Sequence, residues 1–156
     1  MNDLEIEFGV GAYGIMLGMG PEDVIRVLGM PDKINIDEDD EIYEQMFIYN
    51  KHMLTVWFER GKKLRATLIQ CYSPDATVFG EKVMSKNKKQ IKAFMKKNGF
   101  GTCEEIDDYS EEVLFYEDIS AWFNFMFDQL TYIEFTMLTS DDDVFWPYNG
   151  DLTADQ

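Results

Sequence analysis

Apolar residues recur at Val24, Val27 and Leu28, and again at Ile91, Phe94 and Met95. Spacing of i, i+3, i+4 is the stripe of an amphipathic helix. Pro21 suits the first turn of the first helix, and Gly29 with Pro31 marks its stop. Ser85 is placed to cap the second helix, and Asn98-Gly99 closes it. An acidic loop follows each helix, at 37–41 and at 104–108. Beyond each loop the apolar period shortens to two, the signature of strands. Strands are predicted over 44–49, 53–59 and 64–72, then over 111–116, 120–126 and 129–138. Turns at Arg60-Gly61 and Phe127-Asp128 are short enough for antiparallel hairpins.

The two sets of elements are one pattern written twice. MFIYNKHMLTVWF (46–58) aligns with VLFYEDISAWFNF (113–125) at an offset of 67. LRATLIQCYSPDATVF (64–79) aligns with LTYIEFTMLTSDDDVF (130–145) at 66, one residue having dropped out of a turn. An internal repeat of this length constrains architecture more than any single element does. The expected class is α+β, with two tandem helix-plus-antiparallel-strand repeats forming a curved sheet and the helices on one face. One domain of residues 1–156 is expected, with repeat one over about 9–80, repeat two over 81–147, and a flexible acidic tail over 148–156.

Parity sorts the two faces of the sheet. Leu54, Val56 and Phe58, with Ala121, Phe123 and Phe125, are all apolar and belong under the helices. The opposite parity takes Thr55, Trp57, Trp122 and Asn124. It also takes Ala66, Leu68, Gln70 and Tyr72, and Tyr132, Glu134, Thr136 and Leu138. Aromatics mixed with polar groups suit a binding face, and they equally suit cross-strand pairs on a solvated sheet. The acidic runs at 37–41, 104–108 and 141–143 would border that face. The candidate partner-binding residues are therefore Trp57, Tyr72, Trp122, Tyr132 and Glu134 on the face, with Asp107, Asp108, Asp141 and Asp142 on the rim. Such residues anchor protein partners.

Charge sharpens the picture. The formal net charge is −16, and residues 98–156 contain fifteen carboxylates and no Lys or Arg. A field of one sign steers something basic towards it. Direct nucleic-acid binding needs a basic footprint, and the lysines of 82–97 read instead as the wet face of a helix. At 46% hydrophobic and 15% aromatic, the chain has the means to fold that disordered acidic tails lack. MNDLEIEF shows neither the basic region nor the apolar run of an export signal, and no apolar stretch is long enough to span a bilayer. Cys71 and Cys103 make no disulfide framework and suit a reducing compartment. A cytoplasmic protein without membrane contact is expected.

Several motifs resemble chemistry. Gly9-Val10-Gly11-Ala12-Tyr13-Gly14 matches G-x-G-x-x-G, but the helix begins only near Pro21 and no βαβ crossover follows. The lone His52 falls in a turn, and the acidic runs lack calcium-loop spacing. Cys71 takes core parity, and Cys103 lies beside Glu104 and Glu105, whose charges disfavour a thiolate nucleophile. No catalytic constellation emerges, so no enzyme, metal or cofactor is expected.

The segment GVGAYGIMLGMGPEDVIRVLGMPD (9–32) carries Gly18-Met19, a short amphipathic helix, Leu28-Gly29 and Pro31-Asp32. It resembles the helix-to-sheet unit of beta-lactamase-inhibitory-protein-like folds. Outer-membrane-assembly lipoprotein domains share that unit, and small acidic immunity proteins of bacterial toxin systems look similar there. The second repeat has 86–100 where the glycines would be, and neither the export signal of the secreted inhibitors nor the lipid-attachment cysteine of the lipoproteins is expected here. The resemblance implies tandem units whose concave sheet binds an enzyme target through aromatics and acids. It implies a cytoplasmic immunity protein that occludes a cognate basic toxin, such as a nuclease, with carboxylates mimicking phosphates. The alternative is an intracellular small-ligand-binding or scaffold module of the same fold. Oligomeric state, and whether both units share one sheet, are left open by the sequence.

Overall fold

The computed structural model describes residues 4–38, 43–61, 63–108, 111–140 and 143–148. A glycine-rich opening forms β1 (Glu5–Ile6), β2 (Gly11–Ala12) and β3 (Ile15–Met16). Helix α1 (Pro21–Leu28) leads into β4 (Lys33–Glu38), β5 (Tyr43–Tyr49), β6 (Leu54–Arg60) and β7 (Leu64–Cys71). Short strands β8 (Thr77–Val78) and β9 (Glu81–Lys82) precede α2 (Lys88–Lys97). Then come β10 (Glu104–Asp108), β11 (Glu111–Tyr116), β12 (Ala121–Met126) and β13 (Gln129–Thr136), and a closing hairpin of β14 (Leu138–Ser140) and β15 (Asp143–Phe145).

Eight strands make one continuous antiparallel sheet in the order β10-β11-β12-β13-β7-β6-β5-β4. Neighbours in sequence pair as hairpins, and β13 joins β7 across the centre through Ile133–Cys71, Glu134–Gln70, Phe135–Ile69 and Thr136–Leu68. The inner face is closed by α1, α2 and the N-terminal segment. Val24, Ile91, Phe94 and Met95 from the helices, and Ile6, Ile15 and Leu17 from the opening, share one core with Phe47, Val56, Phe58, Ile69, Leu114, Phe123, Ile133 and Phe135.

This corrects the expected α+β class. Among the described residues strand accounts for 51% and helix for 16%, so the fold is mainly β, built on one large sheet rather than on two helix-plus-three-strand repeats. The two runs expected as acidic loops are the main cause. Lys33–Glu38 and Glu104–Asp108 are the edge strands of the sheet. Carboxylates have low strand propensity in general, but an edge strand needs to pair on one side only and benefits from charge on the other. Residues 39–41 of the first run lie outside the described residues, as do 149–156 of the expected tail. Tyr148 is tied down, its N–H donating to the Leu17 carbonyl at 3.3 Å. The second helix is capped two residues later than expected: the Asn87 side chain accepts from the Gln90 N–H, and the Gln90 side chain accepts from the Asn87 N–H.

Each half of the sheet carries a bulge, between Trp57 and Phe58 and between Asn124 and Phe125. The first turns Ala66 onto the inner face, where it is buried, instead of the outer face that strict parity gives it. There its N–H donates to the Met19 carbonyl (2.7 Å) and its carbonyl accepts from the Gly18 N–H (2.9 Å), lacing the N-terminal segment to the centre of the sheet. The glycines of that segment serve this packing. Tyr13 and Gly14, with φ of 61° and 82°, turn β2 back onto β3. A Cβ at Gly9 would lie 2.6 Å from Cγ of Leu138. No helix opens from the last glycine, which removes the dinucleotide-site reading.

Adjacent residues of β12 should therefore differ sharply in their effect on stability. Phe123 is fully buried, while Trp122 beside it points outward and is half-buried. Phe123→Ala is expected to cost about 3–5 kcal/mol of unfolding free energy, and Trp122→Ala less than half as much. Urea unfolding of the two variants checks this, and equal losses would contradict the face assignment.

Candidate protein-binding face

The register of the sheet lays out its outer face in rows. The central row runs Glu104, Phe115, Trp122, Glu134, Gln70, Thr55, Ile48, Lys33 from one edge to the other. The row beside it holds Thr136, Leu68, Trp57, Met46 and Asn35, and the row on the other side holds Val113, Asn124 and Tyr132. Phe115 and Trp122 stack with ring centroids 4.7 Å apart and 19° between their planes. Trp57, Leu68, Phe115, Trp122 and Tyr132 are all half-buried, held by their neighbours yet presenting ring or chain to solvent.

Glu134 sits in the middle of this surface, between Trp122 and Gln70. Burial raises its pKa above the usual carboxylate range, and the nearby Glu111 raises it further. Tyr132 is also shifted up, first by burial and then by Glu134 and Glu111. Towards one end, Asp37, Glu44 and Glu59 lie directly opposite one another across three strands. Like charges in cross-strand register are destabilising. The ladder places only Lys33 and Arg65 as bases on this face, and the Arg65 guanidinium lies 4.8 Å over the Trp146 ring.

The lysines of α2 are on the other side. Lys88 of α2 reaches Glu112 (3.1 Å) and Glu105 (3.5 Å), and Lys92 reaches Glu105 (3.0 Å). Its bond to Lys92 holds the Glu105 carboxyl below its ordinary range, and Glu112 raises the Lys88 pKa. The basic helix face is thus a clamp on the acidic edge strand rather than only a solvated surface. It also changes the meaning of the charge count. Residues 81–156 carry seven bases and sixteen acids, and residues 1–80 carry seven bases and fourteen acids, so both halves of the fold are acidic to a similar degree.

Of the residues expected at the site, Trp57, Trp122, Tyr132 and Glu134 share the outer face. Tyr72 follows Cys71, the partner of Ile133, and is half-buried at the end of β7. Asp107 does not join the rim of this face: its register with Glu112 puts it on the helix side of β10. Asp108 is described only as a position on that strand, and Asp141 and Asp142 lie outside the described residues. The acids that do border the face are Glu44, Glu59 and Glu111, on strands the sequence predicts, and Glu104 and Asp37, whose parity becomes readable only once the acidic runs are known to be strands. Strand parity also passes over Phe127. It occupies the β12–β13 turn with φ of 52° and is 91% exposed. Its signal is an aromatic residue in a two-residue turn, where Asn or Gly is usual.

Two depressions open on this side. One, of about 310 Å³, is lined by Trp57, Leu68, Glu134 and Thr136 together with Glu44, Glu59, Thr67 and Met137. The other, of about 480 Å³, shares Glu59, Thr67 and Met137 and adds Arg60, Lys63, Arg65 and Trp146. His52 is away from both, edge-on to the rings of Tyr13 and Tyr49 at 6.4 and 6.0 Å, so it is a packed turn residue. Burial pushes the Cys71 thiol far above its usual range, which leaves it inert. Among the described residues, no three His, Cys, Asp or Glu side chains gather as a metal site, and no helix is long and apolar enough to cross a membrane.

No protein-family model matches the sequence, and no curated protein matches it. Among solved structures the chain is similar to an extracellular protein containing an SCP domain from Bacillus anthracis str. Ames, at 13% identity and a TM-score of 0.44. The match covers 78% of this chain and 44% of that one, so the chain spans less than half the length of that protein.

Glu134 makes the site visible in a pH titration. Its folded pKa is raised, so it holds its proton in the folded state at pH values where the unfolded chain has lost it. Stability on its account is highest below the ordinary carboxylate pKa of about 4.3 and falls as pH rises through the folded value. Glu134→Gln is therefore expected to be more stable than the parent at pH 7 and equal to it at low pH. Urea midpoints at the two pH values test this, and a variant no more stable than the parent at pH 7 would contradict the desolvated placement of Glu134.

Proposed function

We propose that the chain is a cytoplasmic immunity protein that binds a basic toxin through the outer face of its sheet and occludes the toxin's active site. One observation carries this reading: Glu134, a carboxylate made unfavourable by burial and by Glu111, stands at the centre of a half-buried aromatic surface ringed by further acids. Such a group gains more than a solvated carboxylate when a Lys or Arg arrives, because the partner's cation relieves both penalties at once. The acids Asp37, Glu44 and Glu59, in register across three strands, add to the negative field of the same face. Trp57 and Trp122 supply the large apolar anchors around which such a contact excludes water. The acidic field then steers the encounter, and a nuclease that expects phosphates finds carboxylates in their place. The small-ligand alternative would use the enclosed apolar pocket typical of such sites, whereas both depressions on this face are open and edged by charge.

The test begins by immobilising the protein, capturing partners from native-host lysate at low salt and identifying what a salt step elutes. A single basic protein bound near one-to-one, with its activity abolished by the chain, is the expected result. Calorimetry with that protein should show Trp122→Ala weakened by about 2 kcal/mol or more. A parent-like affinity for Trp122→Ala, or an affinity indifferent to salt, would contradict binding through this face.

A further inference from the structure

Among the described residues the sheet has two unpaired edges, β4 and β10, and they differ in what their inner sides carry. Every position of β10 except Ile106 is a carboxylate, and Lys88 and Lys92 hold Glu105 on its inner side. Pairing of β10 with a second β10 about Ile106 would set Glu104 against Asp108 and Glu105 against Asp107, acid against acid. Charged edges of this kind resist association. On β4 the corresponding inner-side positions are Ile34 and Ile36, which face Phe47 and Gln45 across the ladder. They are 43% and 57% exposed, and Met30, just before the strand, is 69% exposed. The outward side of β4 pairs with no described strand.

We infer that β4 is a dimerisation edge at which two copies of this chain pair antiparallel about Asn35, continuing the sheet across a two-fold axis. Directly opposed side chains must lie on the same face, so only registers centred on a residue are allowed. Centred on Asn35, each Ile34 meets Ile36 of the partner subunit on the inner side. On the outer side each Lys33 meets Asp37 of the partner subunit. Four apolar side chains leave water and two opposite-charge pairs form at the centre of the contact, while at each end Glu38 meets Asp32 of the partner subunit, a like-charge pair that salt screens. Centring on Ile36 would instead set Ile34 against the partner's Glu38, and centring on Ile34 would separate Lys33 from Asp37. The sequence of this one edge therefore selects both the partner, a second copy, and the register. The inference shares Asp37 with the proposed function but not that function's centre, because β4 lies at the far edge from Trp122 and Glu134, and Ile36 on the inner side belongs to the dimer contact alone.

The two interactions respond oppositely to salt. Each copy carries a net charge of −16, so self-association is opposed at low ionic strength and strengthens as salt screens the repulsion, whereas binding of a basic protein weakens. Sedimentation equilibrium of the parent at high salt is expected to show the mass rising with concentration from 18.2 kDa towards twice that value. K33E, which places Glu against Asp37, should weaken the dimer about tenfold or more, and the charge-swapped K33E/D37K should recover parental affinity. Ile36→Glu, at an exposed position that leaves the core intact, should be monomeric with an unchanged circular dichroism spectrum. A parent that stays at 18.2 kDa at every concentration and salt would overturn the inference. So would a dimer insensitive to both K33E and Ile36→Glu, or a folded K33E/D37K that fails to recover.

Discussion

Everything on the outer face depends on the short ladder between β13 and β7. Four residue pairs join two four-stranded halves into one sheet. The inner members, Ile133, Phe135, Ile69 and Cys71, are wholly buried and fix which way both strands face. Register across this seam is therefore strongly specified, since a slip of one residue would turn the buried residues of one strand, Ile133 with Phe135 or Ile69 with Cys71, to solvent. Its outer members, Glu134 against Gln70 and Thr136 against Leu68, then have no choice of position. The half-buried carboxylate is a consequence of this pairing.

The second organising feature is a sorting of charge through the thickness of the sheet. Lysines of α2 lie on the inner side and neutralise Glu105 and Glu112, which tethers the helix to the last edge strand. Solvent-exposed ion pairs of this sort add little stability each, but they consume the nearest bases. The outer face keeps its carboxylates among aromatics, with Lys33 and Arg65 at its margins. A long run without a base at the end of the chain is thus not an acidic half of the molecule. It marks which side of the sheet the bases are delivered to.

Much of this is legible in the pattern of the chain, because the strongest signals are the ones set by burial. Helical stripes at Val24 and Ile91, the hairpin turns and the all-apolar parity of Leu54, Val56 and Phe58 follow from a single buried face. The same parity groups Trp57, Trp122, Tyr132 and Glu134 on the opposite face from sequence alone. What escapes the pattern is set by backbone pairing rather than by side chains. The edge strands carry acids that argue against strand by propensity, and their pairing is decided by β5 and β11. Strict parity misplaces Ala66 because a bulge leaves no composition mark, and parity after it runs opposite. Ser85 and Asn87 can each cap a helix, and only the reciprocal bond from Gln90 decides between them. With the edges taken for loops, Asp107 falls on a rim it does not border.

The most direct test of the charge-sorted sheet is a carbon-detected NMR titration of the glutamate carboxyls in the free protein. Glu134 is predicted to titrate above the ordinary range, and Glu105, held by Lys92, below it. If the two titrated together at the ordinary value, neither the desolvated centre of the face nor the lysine clamp beneath it would exist as described, and the binding proposal would lose its foundation.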